Sequence, residues 1–365
     1  LVRIVGVYDT AAVFIVSTDY VTFKNMTLEN TSNVAYSYSL FMTDTANYIT
    51  VDSCHVLNSD IATSSLTGAI ISSDIPTSTS SLGYNANHFT LSNSLVTGGY
   101  YGVRLNGAST LGDYTVGNRI LNREFVDQYV YPVYMYAQDS MDLIGNFVNP
   151  PRATFGDGFY LFEVGNYNVE LNDLSGIPDW GMYVFDGNED VTSIDPSRIV
   201  NNFISSTSDY ALYLNDVNNT QLFHNTLAGN YGLYINDFQQ IDARNNIFAT
   251  GGQYAVWYAD SLNGDPTTLF DFNLYYYPPN AQGLIRDQNN FFTDLTSFQT
   301  QSPGNNTSSV EGDPFFVNGA FDMHVQSAFA NDVGDNSVNV LVDIDGDVRP
   351  AAGSFIVDLG AEEFP

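Results

Sequence analysis

The residues of this chain with the capacity for chemistry are carboxylates and aromatic rings, and both recur at a regular interval. Glu163, Asp186, Asp216, Asp237 and Asp260 follow one another at equivalent places in a repeated phrase, with Asp44 and Asp74 at like positions earlier. Neighbouring carboxylates stacked at ~5 Å repel by about 1 kcal/mol in water and about 3 at an effective dielectric of 20. Such a column needs either backbone N–H donors at a turn or a shared cation. Calcium suits oxygen-only ligands on loops. A second acidic run, "DIDGDVR", places Asp343, Asp345 and Asp347 at alternate positions, as at the start of a calcium loop. It lacks the glutamate that an EF-hand carries at its twelfth place, and Asp-Gly is equally a turn signal. No cofactor is certain from these residues, and calcium is the candidate.

The aromatic residues are more ordered. "YPVYMYA", "DGFYLFE", "WGMYVFD", "YALYLND", "YGLYIND" and "YAVWYAD" share a middle aromatic residue: Tyr134, Tyr160, Tyr183, Tyr213, Tyr234 and Trp257. Arg104 and Ile285 extend the column, with successive spacings of 30, 26, 23, 30, 21, 23 and 28 residues, and Phe41 and Ile71 occupy the same place earlier. In "YGLYIND", period-two alternation turns Leu233 and Ile235 inward and Gly232, Tyr234 and Asn236 outward. A small-residue gutter running from Gly102 to Ala255 is therefore expected beside an aromatic shelf. Rings stacked at ~4.8 Å favour one another by roughly 0.5–1.5 kcal/mol per pair. The shelf is thus a structural ladder, a surface covered by the tail or a neighbouring module, or a platform for the faces of sugars. Tyr134, Tyr160, Tyr183, Tyr213, Tyr234 and Trp257 are the candidate ligand-binding residues.

Bases are few. Ten Lys and Arg stand against 41 Asp and Glu, and Lys24 is the single lysine. Arg104, Arg119 and Arg123 are the nearest approach to a basic cluster. His55, His88, His224 and His324 share no spacing. Carboxylate pairs on adjacent repeats, such as Asp186 with Asp216, offer glycosidase-like separations, yet a stacked fold offers such pairs everywhere. The catalytic residues are unknown at this level, and no serine or cysteine nucleophile motif is visible.

A repeat of 21 to 30 residues with indels is the signature of a solenoid. Its phrases alternate at period two, which excludes helical repeats. A second strand precedes each tyrosine phrase, and Asn93, Asn118, Asn172, Asn225 and Asn245 mark strand-to-strand corners. Asparagine tolerates left-handed backbone and forms side-chain ladders when stacked. The expected fold is all-β: a single right-handed parallel β-helix of about eleven coils over residues 1–289. An irregular segment, 290–365, packs on it and closes its end.

These phrases resemble the right-handed parallel β-helix proteins of the pectate-lyase-like class, and in particular the β-helix modules of large secreted and surface proteins of Bacteroidetes. "VEGDPFFV" at 310, "DMHVQSAFANDVG" at 322, "DIDGDVRP" at 343 and "DLGAEEF" at 358 resemble the closing segment of such modules. The family more often has Ser-Pro-Ala where this chain has Ser327, Ala328 and Phe329. A lyase of this class resembles a calcium site with a base beside a uronate, which the scattered arginines match poorly. The paired-aspartate and Gly-His-Gly pattern of polygalacturonase-like enzymes and the Gln-Asp-Thr signature of pectin esterases are missing.

Composition limits the partners. Hydrophobic content of 44%, with 25 Phe and 25 Tyr, is ample for a core. A net charge of −31 argues against nucleic acid, which is bound through counterion release by positive surface, and disfavours a polyanionic glycan. Cys54 is the one cysteine, so no internal disulfide forms. No apolar run reaches membrane-spanning length, no signal peptide is visible, and Leu1 opens directly in a strand-like run. The expected function is an extracellular, non-catalytic structural or adhesive module that binds glycan or neighbouring surface modules. The alternative is a polysaccharide-active enzyme, either a glycoside hydrolase or a lyase.

Overall fold

Alternating apolar residues with polar corners leave short strands one stable solution, in which each pairs with its counterpart one repeat away. A computed structural model shows this, describing residues 2–6, 11–108, 114–188, 195–262 and 265–363; Leu1 lies outside the described residues. The chain is a right-handed parallel β-solenoid of about ten turns, with one short helix among the described residues. It divides into two units, residues 1–168 and 169–365. After Trp257 the strand Ile285–Asp287 turns back antiparallel onto Asn290–Phe292, and the helix Leu295–Gln301 follows.

In the first unit, Ala11–Val16, Tyr38–Thr43, Gly68–Ser72, Tyr101–Asn106, Tyr131–Asp139 and Phe159–Gly165 stack in parallel. The register aligns Phe14, Phe41, Ile71, Arg104, Tyr134 and Tyr160. In the second unit, Met182–Gly187, Tyr210–Phe223, Thr226–Arg244 and Ile247–Tyr258 align Tyr183, Tyr213, Tyr234 and Trp257. The next partner of Trp257 is Arg286, while Ile285 pairs with Val256 and is buried. The expected column therefore ends one residue later than Ile285. A slip of one residue exchanges the faces of a strand, so Ile285 belongs to the core.

The asparagine corners resolve into two adjacent columns. One is a hydrogen-bonded ladder in the second unit. The Asn172 Nδ2 donates to Asn202 Oδ1 at 2.9 Å, Asn202 to Asn225 at 2.9 Å, Asn225 to Asn246 at 3.0 Å and Asn246 to Asn273 at 3.0 Å. Each Oδ1 also accepts the backbone N–H of the asparagine one coil before it. All five side chains are fully buried. The other column, one residue earlier, adopts left-handed backbone: Leu171, Asn201, His224, Asn245 and Phe272 have φ of 58°, 54°, 54°, 61° and 51°. Asn172 and Asn225 thus belong to the ladder and Asn245 to the left-handed column. In the first unit Asn93 is left-handed, with φ of 50°. Asn118 serves a different corner, accepting the Phe89 N–H at 2.8 Å.

The closing segment has two parts. Asp294 caps the helix through Ser297, and Phe298 stacks on Tyr258 at 5.9 Å, filling the end of the coil interior. Beyond the strand Val310–Glu311, which pairs with Leu274–Tyr276, the chain is irregular and lies along the strands that precede the tyrosine strands. Met323 and Ala361 pack on Phe203, Ala228 and Ala249. Val325, Ala330 and Leu359 cover Ile247 and Leu274, and Val338 and Val340 cover Val200 and Phe223. The buried Arg349 guanidinium bonds the Glu363 carboxylate at 3.0 Å, the Gly360 carbonyl at 2.9 Å and Asn201 Oδ1 at 3.3 Å, which ties the segment down.

Candidate functional site

Within each unit the candidate aromatic residues fall in register, and two contacts of the columns are face to face. Tyr134 and Tyr160 stack at 4.8 Å in the first unit. In the second, Tyr183 and Tyr213 lie 5.1 Å apart, Tyr213 and Tyr234 stack at 4.4 Å, and Trp257 meets Tyr234 edge-on at 4.9 Å. The Arg286 guanidinium sits over the Trp257 ring at 4.0 Å and ends the column. Most of these rings are half-buried; Tyr183, at 8% exposure, is buried. Burial pushes the Tyr213 phenol up to about 12, with the Tyr234 ring adding to it.

A second aromatic column covers the first, and sequence reasoning missed it. Trp180, Tyr210, Tyr231 and Tyr254 stand three residues before the middle aromatics. Trp180 stacks on Tyr213 at 5.2 Å, Tyr210 on Tyr231 at 4.5 Å, and Tyr210 meets Tyr234 edge-on at 5.3 Å. In the first unit Tyr101 and Tyr131 hold the same place, stacked at 5.5 Å. The signal was present, because these residues are the first letters of the quoted phrases. Strict alternation assigned that position no outward role, whereas the strand begins at a corner where alternation fails.

The expected gutter is absent. Gly181 and Gly232 are buried, and a Cβ on either would come within 2.5 Å of the carbonyl oxygen of Ala211 or Ala255 on the next coil. The small residues are there because the corner brings backbone against backbone. A groove of about 640 Å³ opens instead on the other side of the corner, lined in part by Thr207, Ser208, Asn230, Thr250, Tyr276 and Phe321. Ser208, Asn230 and Gly251 of that groove lie within three residues of Tyr210, Tyr231 and Tyr254.

The acidic column sits at a turn. Glu163, Asp186, Asp216 and Asp237 have φ between 44° and 53°. Tyr136 donates to Glu163 at 2.8 Å, Asn215 to Asp216 at 2.8 Å and the Asp237 N–H to Asp260 at 2.9 Å. The run Asp343, Asp345, Asp347 separates. The Asp343 carboxylate accepts three backbone N–H groups, from Asp345 at 3.0 Å, Asp347 at 2.8 Å and Glu363 at 2.9 Å. Asp345 turns toward His324, 3.3 Å away, and Asp347 is exposed. Among the described residues, His324, Asp345 and Glu362 form the group of three His, Cys, Asp or Glu donors that come within 4.8 Å of one another.

The arginines of the lyase-like reading are held apart. Arg104 is buried between Tyr101 and Tyr134, its guanidinium 4.8 and 4.4 Å from their ring centres, and it donates to the Tyr101 hydroxyl at 2.6 Å. Arg123 is buried and donates to the Leu121 and Ser94 carbonyls, while Arg119 pairs with Asp142 at 2.8 Å. Two carboxyls beside the second aromatic column differ from the rest. Burial raises Asp179 above the usual carboxylate range, and it raises Asp209 as well, helped by Asp179 and opposed by the Trp180 N–H, 3.1 Å from the Asp209 carboxylate.

No helix among the described residues is long and apolar enough to cross a membrane. Comparison with known proteins adds little beyond the fold. No curated protein matches the chain. Among solved structures, the crystal structure of tailspike protein 3 of bacteriophage CBA120 is similar at 8% identity and a TM-score of 0.45, over 81% of this chain and 50% of that one. The chain therefore spans about half the length of that protein. Residues 82–248 match the family described as the right handed beta helix region. With parallel registers in both units and that match across the middle of the sequence, the chain is a right-handed parallel β-helix protein.

Proposed function

We propose that this chain is a polysaccharide-binding module of a secreted or surface protein, and that the ligand runs along the paired aromatic columns of residues 180–257. The observation that carries this reading is the double row itself. Trp180, Tyr210, Tyr231 and Tyr254 flank Tyr183, Tyr213, Tyr234 and Trp257, while the apolar side chains of the closing segment pack on a different strand of each coil. Sugar rings carry apolar C–H faces that match such surfaces, and hydroxyls that match Asn215, Asn236 and Asn230 nearby. The charge of −31 favours a neutral polymer over a uronate one. The test is migration of the intact chain through native gels cast with neutral or acidic polysaccharides. Retardation by a neutral polymer is expected, and Trp257→Ala weakens it about tenfold, on the order of 1.4 kcal/mol. Equal migration in every gel contradicts the reading.

A glycoside hydrolase is the second reading, and the Asp179–Asp209 pair favours it. Both carboxyls are raised by burial, and a carboxyl raised in this way suits the general acid of glycoside cleavage. If the module cleaves what it binds, new reducing ends accumulate and Asp209→Asn abolishes them without loss of retardation.

A further inference from the structure

Three separate stretches of the closing segment bring unlike donors to one point. His324 comes from the turn after Asn318, Asp345 from the "DIDGD" turn and Glu362 from the C-terminal stretch. Their side-chain donor atoms all lie within 4.8 Å of one another. The histidine is oriented from behind, its Nδ1 bonded to the Asp322 carboxylate at 2.6 Å. A carboxylate on Nδ1 fixes the tautomer so that Nε2 faces forward with its lone pair, the arrangement that metal-binding histidines use. Glu362 is held too, since its Oε2 accepts the Val325 N–H at 2.8 Å.

The distances fit a shared ion better than a direct pair. His324 Nε2 and Asp345 Oδ2 are 3.3 Å apart, long for a charge-assisted hydrogen bond, which runs about 2.7–2.9 Å. Two ligands bonded at about 2.1 Å to a tetrahedral ion stand roughly 3.4 Å from each other. Charge points the same way. Asp343, Asp345 and Glu362 gather here, a local excess of negative charge that a cation would offset. The neighbouring Arg349 guanidinium is engaged elsewhere, with Glu363, Gly360 and Asn201.

We propose that His324, Asp345 and Glu362 bind a divalent transition-metal ion, zinc or manganese, that staples the closing segment onto the solenoid. The donor set of one imidazole nitrogen and two carboxylate oxygens selects such ions over calcium, which takes oxygen ligands in larger number. Open positions on the ion are filled by water. The neighbouring Met323 and Ala361 side chains pack on Phe203, Ala228 and Ala249, so an ion joining their segments stabilises that packing. The site is independent of the aromatic columns and of any glycan.

The experiment titrates zinc, manganese and calcium, each alone, into the chelator-stripped full-length chain at fixed pH. Calorimetry reads the stoichiometry and thermal unfolding reads the shift. One zinc or manganese ion per chain is expected, with a Tm increase that calcium does not reproduce. His324→Ala and Asp345→Asn each lower the affinity at least tenfold, while Asp347→Asn leaves it unchanged. Asp345 is exposed, so its variant folds even if the histidine variant does not. Absence of one-to-one binding by either transition metal overturns the proposal. So does binding that survives Asp345→Asn, or a calcium response equal to that of zinc.

Discussion

At the scale of single residues, the fold rests on side chains that satisfy backbone where the strands turn. Asn225 is the clearest case. Its amide donates to Asn246 and to the Ile199 carbonyl, and its oxygen accepts both the side chain and the backbone N–H of Asn202. Replacing it with alanine strands several buried groups at once. Asn225→Ala is predicted to cost about 2–4 kcal/mol in urea unfolding, because each unsatisfied buried group costs roughly 1–3. Substitution of the exposed Asp347 is predicted to stay within about 0.5. The sequence announced asparagine corners but not which asparagine does what. In the pairs Asn201–Asn202 and Asn245–Asn246 the first residue takes left-handed backbone and the second enters the ladder, a distinction only the bend of the chain reveals. The aromatic column from Tyr134 to Trp257 was legible because its residues repeat in phase. The flanking Trp180, Tyr210, Tyr231 and Tyr254 repeat in the same phase and went unread, since their position is a corner rather than part of an alternating strand.

At the scale of elements, the closing segment behaves as a strap. It carries few strands, and its hold depends on scattered apolar contacts and on Arg349, which bridges Glu363, Gly360 and Asn201. Removing one partner of a buried ion pair leaves an uncompensated charge, typically at 3–5 kcal/mol. Arg349→Ala is therefore predicted to release the strap before the coils melt. Limited proteolysis should then cut after residue 312 while a folded β-rich core persists by circular dichroism; intact resistance to protease would contradict this. The His324, Asp345 and Glu362 cluster lies within the same strap. It was beyond sequence reading because its members are separated by 21 and 17 residues of irregular chain with no period to align them. The solenoid, by contrast, was legible from Phe41 to Trp257, and its end was misplaced only where Arg286 rather than Ile285 continues the column.

At the scale of the whole molecule, charge governs stability. The net charge of −31 makes the compact state repel itself, and screening by salt relieves that. Asp173, Asp179, Asp209 and Asp287 are raised by burial, so the folded state binds more protons there than the unfolded chain. Stability from these groups grows as pH falls toward the ordinary carboxylate range near 4. The opposite holds for Asp52, bonded by Lys24, Asn93 and Ser92, and for Asp265, where burial is outweighed by bonds from Thr267, Thr268 and the Gln240 N–H and the value falls to about 2. Their contribution is present above about pH 4 and is lost as pH drops through those depressed values. Tm is thus predicted to rise from pH 8 to about pH 5, to fall steeply below about pH 3, and to increase with added salt at pH 8. A Tm that declines between pH 8 and 5 would contradict the sign.

The most direct test of the central claim uses the chain's own fluorophores. Both of its tryptophans, Trp180 and Trp257, lie in the aromatic columns, so their emission reports the proposed site and nothing else. The measurement is tryptophan emission of the intact chain titrated with neutral polysaccharides. The account predicts a saturable change with at least one of them, weakened about tenfold by Tyr210→Ala, which removes a flanking ring that touches both Tyr213 and Tyr234. Emission that stays constant while the chain is retained by the same polymer would place the ligand elsewhere and refute the aromatic columns as its site.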